Sequence, residues 1–398
     1  MLAVLQVIVL GHELEAVLHS GRSCGTGAAH LLDTIDGMPE VVHLSLLESS
    51  HLPRPGTTIE IDWHTDHDAT QPCPAGATGA GGSVWIDAAA SPIQVRCALA
   101  LSSGPRLESD AEIVRTGGQA FTRNLPVLET DALAMTTVLC VGLGSGGSAV
   151  VDLLARAGVG RFLLWDMDRL EAHNVGRHVC TLRDLGRRKA FALRDHVQAI
   201  NPIAEVECYH ADVLKSAADL DRAVEAADCV VVGTDNNASR FAVNEAAWAY
   251  GKPALFGRAF TRAAGGDVIQ VIPPVTPCYC CHVAGRVVAE EVSSARDVAR
   301  VAYADRPVPV QPGLSMDIQP VANMLARLCV LRLCERLDSP LKTTAAEMTA
   351  PLYLWANRRE EQFAAWRPME RSFDRLSVLR WYAITVRRDK ECPVCSHG

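Results

Sequence analysis

The sequence predicts an α/β protein built on a Rossmann-like, doubly wound sheet, and three observations carry the expectation. From residue 136 to about 285, apolar strand-like runs alternate with helical patterns, as a parallel sheet with crossover helices requires. The first of those runs, Val138–Val141, passes directly into a glycine turn, Gly142-x-Gly144-x-x-Gly147. Two C-x-x-C pairs, Cys278/Cys281 and Cys392/Cys395, stand at the end of that region and at the end of the chain. The expected organisation is an N-terminal α/β accessory domain (1–115), a linker or arm (116–135), the sheet domain (136–285) and a C-terminal region (286–398).

Composition limits the choices. The chain has 398 residues, a formal net charge of −8 and 48% hydrophobic residues, enough apolar material for real cores. Disorder is excluded, and neither half is basic enough to bind nucleic acid through charge. No run approaches the roughly 18 apolar residues of a membrane span. The opening Met1–Leu10 lacks a basic flank and is expected to be a buried strand rather than an export signal, which places the protein in the cytoplasm.

Within 1–115, strands are expected at Val4–Leu10, Val41–Leu47, Thr57–Asp62, Ser83–Asp87 and Gln94–Leu101, with one or two helices. Gln71–Ser83, rich in Pro and Gly, is expected to be a loop. In the sheet domain the expected order is Thr136–Gly144, a helix from Ser148 to Ala157, a strand from Arg161, a helix Lys189–Ile200, Ala204–Tyr209 and Asp228–Asp235. Beyond it lie a helix at Val321–Leu337 and strands at Pro351–Trp355 and Arg380–Val386.

The glycine turn has a physical reading at each position. Gly142 permits the tight turn, Gly144 lets the backbone approach a phosphate, and Gly147 lets the adjoining helix pack on the strand. The next strand ends in Asp166-Met-Asp168, about 20 positions on, where an acid commonly holds a ribose hydroxyl. A nicotinamide dehydrogenase fits equally well to this point. The stretch after Asp168 separates the readings, because it supplies Asn174, Arg177 and Lys189. Two cations and an amide suit the triphosphate of ATP, whose charge must be offset while the α-phosphorus is attacked. Asp235, ending a further strand at the same sheet edge, suits a magnesium (Mg2+) ligand facing those phosphates.

With GLGSGGS (142–148), WDMDRLEAHNVGRH (165–178), the 186–189 segment and GTDNNASR (233–240), the sequence resembles the ThiF/MoeB-like adenylyltransferases, the family that includes ubiquitin-activating enzymes. The resemblance implies that Asp166 holds the ribose, that Asn174, Arg177 and Lys189 contact phosphates, and that Asp235 holds Mg2+. Arg177, Lys189 and Asp235 are the expected catalytic residues. It implies adenylation of a carboxylate, typically the C-terminal glycine of a ubiquitin-like protein or sulfur carrier, with release of pyrophosphate. It also implies a homodimer in which an arm arginine, Arg115 or Arg123, reaches ATP, and a conjugating enzyme as further partner. The motifs suggest a bacterial ubiquitin-like conjugation system, with antiviral defence as one setting. Adenylation of a sulfur carrier or of a short peptide, and a catalytically silent scaffold, are the alternatives.

The fourteen cysteines are too few for a disulfide scaffold in so long a chain. Cys278, Cys281, Cys392 and Cys395 form the ligand set of a closed, structural zinc (Zn2+) site. The resemblance would place a reactive cysteine after the first pair, yet residues 282–328 contain none. Cys180 and Cys280 are the nearest thiols in sequence. In the N-terminal region, His64, Asp66, His67 and Asp68 look at first like a metal cluster, but the H-x-H, Pro and S-x-x-D pattern of JAB/MPN metalloproteases is missing. A degenerate or different α/β scaffold domain, with this stretch as a solvated loop, is expected instead.

Overall fold

The computed structural model describes residues 6–35, 38–47, 57–65, 81–100, 107–114, 120–124, 127–128, 130–283, 300–303, 306–309, 313–335, 339–359 and 377–396. The chain divides into two compact units, Met1–Thr122 with Asn201–Ile203, and Arg123–Ile200 with Ala204–Gly398. Among the described residues, no helix is long and apolar enough to cross a membrane.

Among its described residues the first unit holds an eight-stranded sheet with a helix packed on it. Its strands are β1 (Gln6–Leu10), β2 (Cys24–Ile35), β3 (Met38–Ser45), β4 (Thr57–His64), β5 (Gly82–Asp87), β6 (Gln94–Leu99), β7 (Leu107–Asp110) and β8 (Glu112–Val114), in the order β7-β6-β5-β4-β2-β3-β1-β8. Alternate residues (Val7, Val9, Ala29, Leu31, Val42, Leu44, Ile61, Trp63, Val84, Ile86) form one buried face, which Leu14 and Val17 of helix α1 (Gly11–His19) join. That period-2 burial is what pins the register. Glu13, also on α1, is buried and accepts from the backbone N–H of Leu46 (2.7 Å) and the Ser45 hydroxyl.

Two expectations for this unit need correction. The strand expected to end at Asp62 continues through His64, because Trp63 faces the core and its indole donates to the carbonyl of Thr26 (3.2 Å). His64 is therefore a strand residue paired with Cys24 rather than part of a loop, while Asp66, His67 and Asp68 lie outside the described residues. The twelve-residue β2 was not anticipated, since Gly25 and Gly27 mask its pattern. Both glycines are required by close approach: a β-carbon at Gly27 would lie 2.2 Å from the carbonyl oxygen of Ser45.

The second unit carries the doubly wound sheet. β9 (Thr137–Val141) starts at its centre, helix α2 (Ser145–Ala157) leads to β10 (Arg161–Trp165), and helix α3 (Lys189–Ile200) leads to β11 (Glu205–Tyr209). The chain then crosses to the other side of β9 through helix α4 (Ala217–Ala226), β12 (Cys229–Val232), helix α5 (Asn237–Ala249) and β13 (Ala254–Ala259). These five strands are parallel in the order β11-β10-β9-β12-β13. Antiparallel β14 (Gly265–Val271) comes next, then the short helix α6 (Tyr279–Val283) and a hairpin of β15 (Arg300–Tyr303) and β16 (Arg306–Pro309). Helix α7 (Ser315–Cys334) precedes β17 (Leu352–Ala356) and β18 (Arg380–Ile384), which extend the sheet antiparallel beyond β14.

The central strands are buried on both faces, which explains their near-continuous apolar runs. Val138, Cys140, Phe162 and Leu164 face one core with α2, α3 and α7; Leu139, Val141, Leu163 and Trp165 face the other with α4 and α5. Helix α2 begins at Ser145, three residues before the expected start, because Gly144 already serves as its N-cap. Helix α7 likewise begins at Ser315 rather than Val321, and Pro320 sits within its first two turns, where sequence reasoning treats proline as a boundary.

Candidate functional site

The chain leaves β9 through a turn that only glycine can make. Gly142 has φ of +85°, and a β-carbon on it would sit 2.6 Å from the backbone nitrogen of Thr234. A β-carbon at Gly147 would sit 2.0 Å from the carbonyl oxygen of Gly142, so the start of α2 lies directly on the strand end. Gly144 is different: nothing of the protein lies within 4 Å of its missing side chain. Its bareness leaves open space before the N-terminus of α2, where backbone N–H groups and the helix dipole favour an anion.

Acids and a lysine converge beside this turn. The Asp166 carboxylate, buried at the end of β10, accepts from the N–H of Leu143 (2.7 Å) and the N–H of Asp168 (2.8 Å). Burial pushes its pKa up, while Lys189 and those two N–H groups pull it back. The buried Lys189 ammonium, at the start of α3, donates to Asp168 at 2.9 Å. Burial alone would lower the lysine; Asp166, Asp168 and Asp235 outweigh it and raise its pKa, so it stays charged. Asp235 lies just past β12 and is exposed, with its chain neighbour Asn236 capping α5 by accepting from the N–H of Ser239 (2.8 Å). β10 and β12 lie on opposite sides of β9, so these groups meet at the carboxyl-end crevice where the winding reverses, the usual ligand position in such sheets.

The other sequence-expected residues make contacts of their own. The side chain of Asn174 closes its own turn, accepting from the N–H of Glu171 (2.9 Å), with its amide nitrogen 3.1 Å from His173 Nε2. The Arg177 guanidinium stands near Gly313, Nη1 being 4.0 Å from where a β-carbon would be. Arg123 lines a groove of about 430 Å³ with Leu153, Arg156, Ala157 and Arg327. It thus sits by the C-terminal end of α2, roughly 18 Å along the helix from the glycine turn. Arg115 lies outside the described residues.

Two supporting residues were not singled out from sequence. His178 is buried, its Nε2 2.9 Å from the Leu143 carbonyl and its Nδ1 accepting from the N–H of Cys180 (3.0 Å). Burial lowers its pKa from 6.5 to about 4, so a neutral ring with its proton on Nε2 satisfies both bonds. Arg240 is buried in the first turns of α5 and donates to the carbonyl of Thr234 and to Asn237 Oδ1 (3.2 Å). The only sequence signal for either was its place inside a quoted motif.

The four expected metal cysteines do converge, although 114 positions separate the pairs. Their sulfurs lie within 4.8 Å of one another, with 3.9 Å for Cys278–Cys281, 3.4 Å for Cys278–Cys392 and 3.3 Å for Cys281–Cys395. A tetrahedral zinc with bonds of about 2.3 Å needs edges of about 3.8 Å, so the set fits with small adjustments. At Cys392 burial pushes the thiol up, but the N–H groups of Cys395 and Val394 outweigh it and bring it down to about 7. Cys180, by contrast, is buried and pushed up to about 12, an inert thiol. Cys280 is half-buried, with the Asn244 amide 3.7 Å from its sulfur.

Known proteins resemble the chain in sequence and in fold. The chain is 35% identical over 157 residues to the sulfur carrier protein adenylyltransferase of Thermus thermophilus, covering 38% of this chain and 56% of that protein. It is 28% identical over 155 residues to ubiquitin-like modifier-activating enzyme 5 of Dictyostelium discoideum, covering 36% and 41% respectively. The chain thus spans about half the length of these curated relatives. Among solved structures, E. coli MccB with ATP superposes with a TM-score of 0.50 at 19% identity, covering 69% of this chain and 74% of that one, a likeness of fold. The ThiF family model matches residues 118–370, and the chain belongs to the ThiF family.

Proposed function

We propose that this chain is an ATP-dependent adenylyltransferase acting on the C-terminal glycine of a ubiquitin-like protein. A carboxylate oxygen attacks the α-phosphorus of ATP, the bond to the bridging oxygen breaks, and pyrophosphate leaves behind an acyl-adenylate. One observation carries the reading: Lys189 is buried, charged and held by Asp168 within the field of Asp166 and Asp235, and Asp166 is itself bonded to the glycine turn at Leu143. Such a site does little covalent work; it orients the reactants and offsets developing charge. In this reading Asp166 and Asp168 border the ribose, Lys189, Arg177 and Asn174 face the phosphates, and Asp235 would hold magnesium, which supplies further charge neutralisation when bound. Zinc in the four-cysteine set has no open position and serves structure alone.

The absence of cysteine from residues 282–328, together with the inert Cys180, favours an enzyme that hands on or releases an acyl-adenylate. A conjugating enzyme of a bacterial ubiquitin-like pathway, antiviral or otherwise, would then take the activated glycine directly. The same observation supports a second reading, in which a sulfur carrier or a short peptide is adenylated. ATP–pyrophosphate exchange decides among them. Exchange should depend on a ubiquitin-like protein ending in glycine, and Asp235→Ala should lower it by about 100-fold or more. Exchange with a sulfur carrier or peptide alone would select the second reading, and none with any of them would leave a scaffold.

A further inference from the structure

We propose that Tyr279 is a positioning residue for Asp235, joining the cysteine centre to the turn that takes the magnesium nucleotide; this rests on Asp235 as magnesium ligand. Tyr279 stands between the first two cysteines of the centre, on α6, and is fully buried. Its ring packs against Phe256 at 4.6 Å and meets Phe241 edge-on at 5.6 Å. Two hydrogen bonds tie it to α5: its backbone N–H donates to Asn244 Oδ1 (2.8 Å), and its hydroxyl donates to Asn237 Oδ1 (2.8 Å). Positions 237 and 244 are two helical turns apart on one face, so α6 grips α5 at both points.

The second grip reaches the site. Asn237 Oδ1 also accepts from Arg240, whose other terminal nitrogen donates to the carbonyl of Thr234. Thr234 precedes Asp235, and Asn236 after it is locked as the cap of α5. Asp235 is thereby an exposed carboxylate between two fixed neighbours, the condition a metal-binding loop needs to avoid an ordering cost on binding. A phenylalanine at 279 would fill the same core space. What the hydroxyl adds is the bond to Asn237, and that bond ends at the Asp235 turn.

The test compares Tyr279→Phe, Asn237→Ala and Asp235→Ala in the full, zinc-loaded chain. The readouts are zinc content, thermal unfolding, and the magnesium concentration giving half-maximal ATP binding by calorimetry. Tyr279→Phe should retain its zinc and raise the magnesium requirement about fivefold, the loss of one hydrogen bond. Asn237→Ala should do the same, and the double variant should do no more than either single change. An unchanged requirement in Tyr279→Phe and Asn237→Ala, with a raised one in Asp235→Ala, overturns the relay alone. No change in any of the three removes the assignment of Asp235 and the relay with it.

Discussion

Gly144 and Gly147 stand three positions apart in one motif, and the structure assigns them opposite constraints. Gly147 has no room on the protein side, whereas Gly144 has no protein neighbour at all. Gly147→Ala should therefore destabilise the fold by about 2 kcal/mol or more in thermal unfolding, even though alanine ordinarily favours a helix. Gly144→Ala should leave the melting temperature unchanged and still weaken ATP binding about tenfold, because the new methyl group meets only ligand. Equal losses of stability in both would remove the phosphate reading of Gly144. At this scale the sequence was informative where chemistry is local: Gly142, Asp166 and Asp168 lie within one strand–turn–helix–strand unit. It said nothing about His178 bonding Leu143 or about Lys189 choosing Asp168, since neither partner can be read from spacing.

Among the elements, the parallel strands were legible because burial on both faces leaves runs such as Val138–Val141 and Cys229–Val232 almost wholly apolar. Helices α4 and α5 and strands β13 and β14 escaped notice. α4 alternates charged and small residues, and β14 opens on two glycines, of which Gly266 lies against Val321 of α7 and the end of β13. The cysteine centre is an element of its own, joining α6 to the segment after β18. Cys395→Ser should abolish zinc binding, measured by metal analysis, and lower the melting temperature by about 10 °C. Retained zinc or an unchanged melting temperature would show that the four sulfurs converge for packing alone.

At the scale of the molecule, the position of Arg123 bears on assembly. Within one copy it lies at the far end of α2 from the glycine turn, so the expected arm role for Arg123 requires a second copy of the chain. Arg123→Ala and Asp235→Ala should each be inactive in pyrophosphate exchange. Mixed in equal amounts with subunit exchange, they should recover about a quarter of wild-type activity, as statistical pairing of C2 subunits gives. A mixture that exchanges subunits and stays inactive would exclude Arg123 from that role.

The separation of 114 positions between Cys278 and Cys392 also sets a clock on synthesis. At roughly 5–20 residues per second, the first two cysteines leave the ribosome about 6–23 s before their partners exist. When the first pair emerges the five parallel strands are already present in sequence, β17 and β18 follow during the interval, and half of the thiol set is missing until its end. A product cut short between Cys281 and Cys392 would carry the parallel strands of the nucleotide crevice with an open pair of thiols, a form distinct from the finished chain.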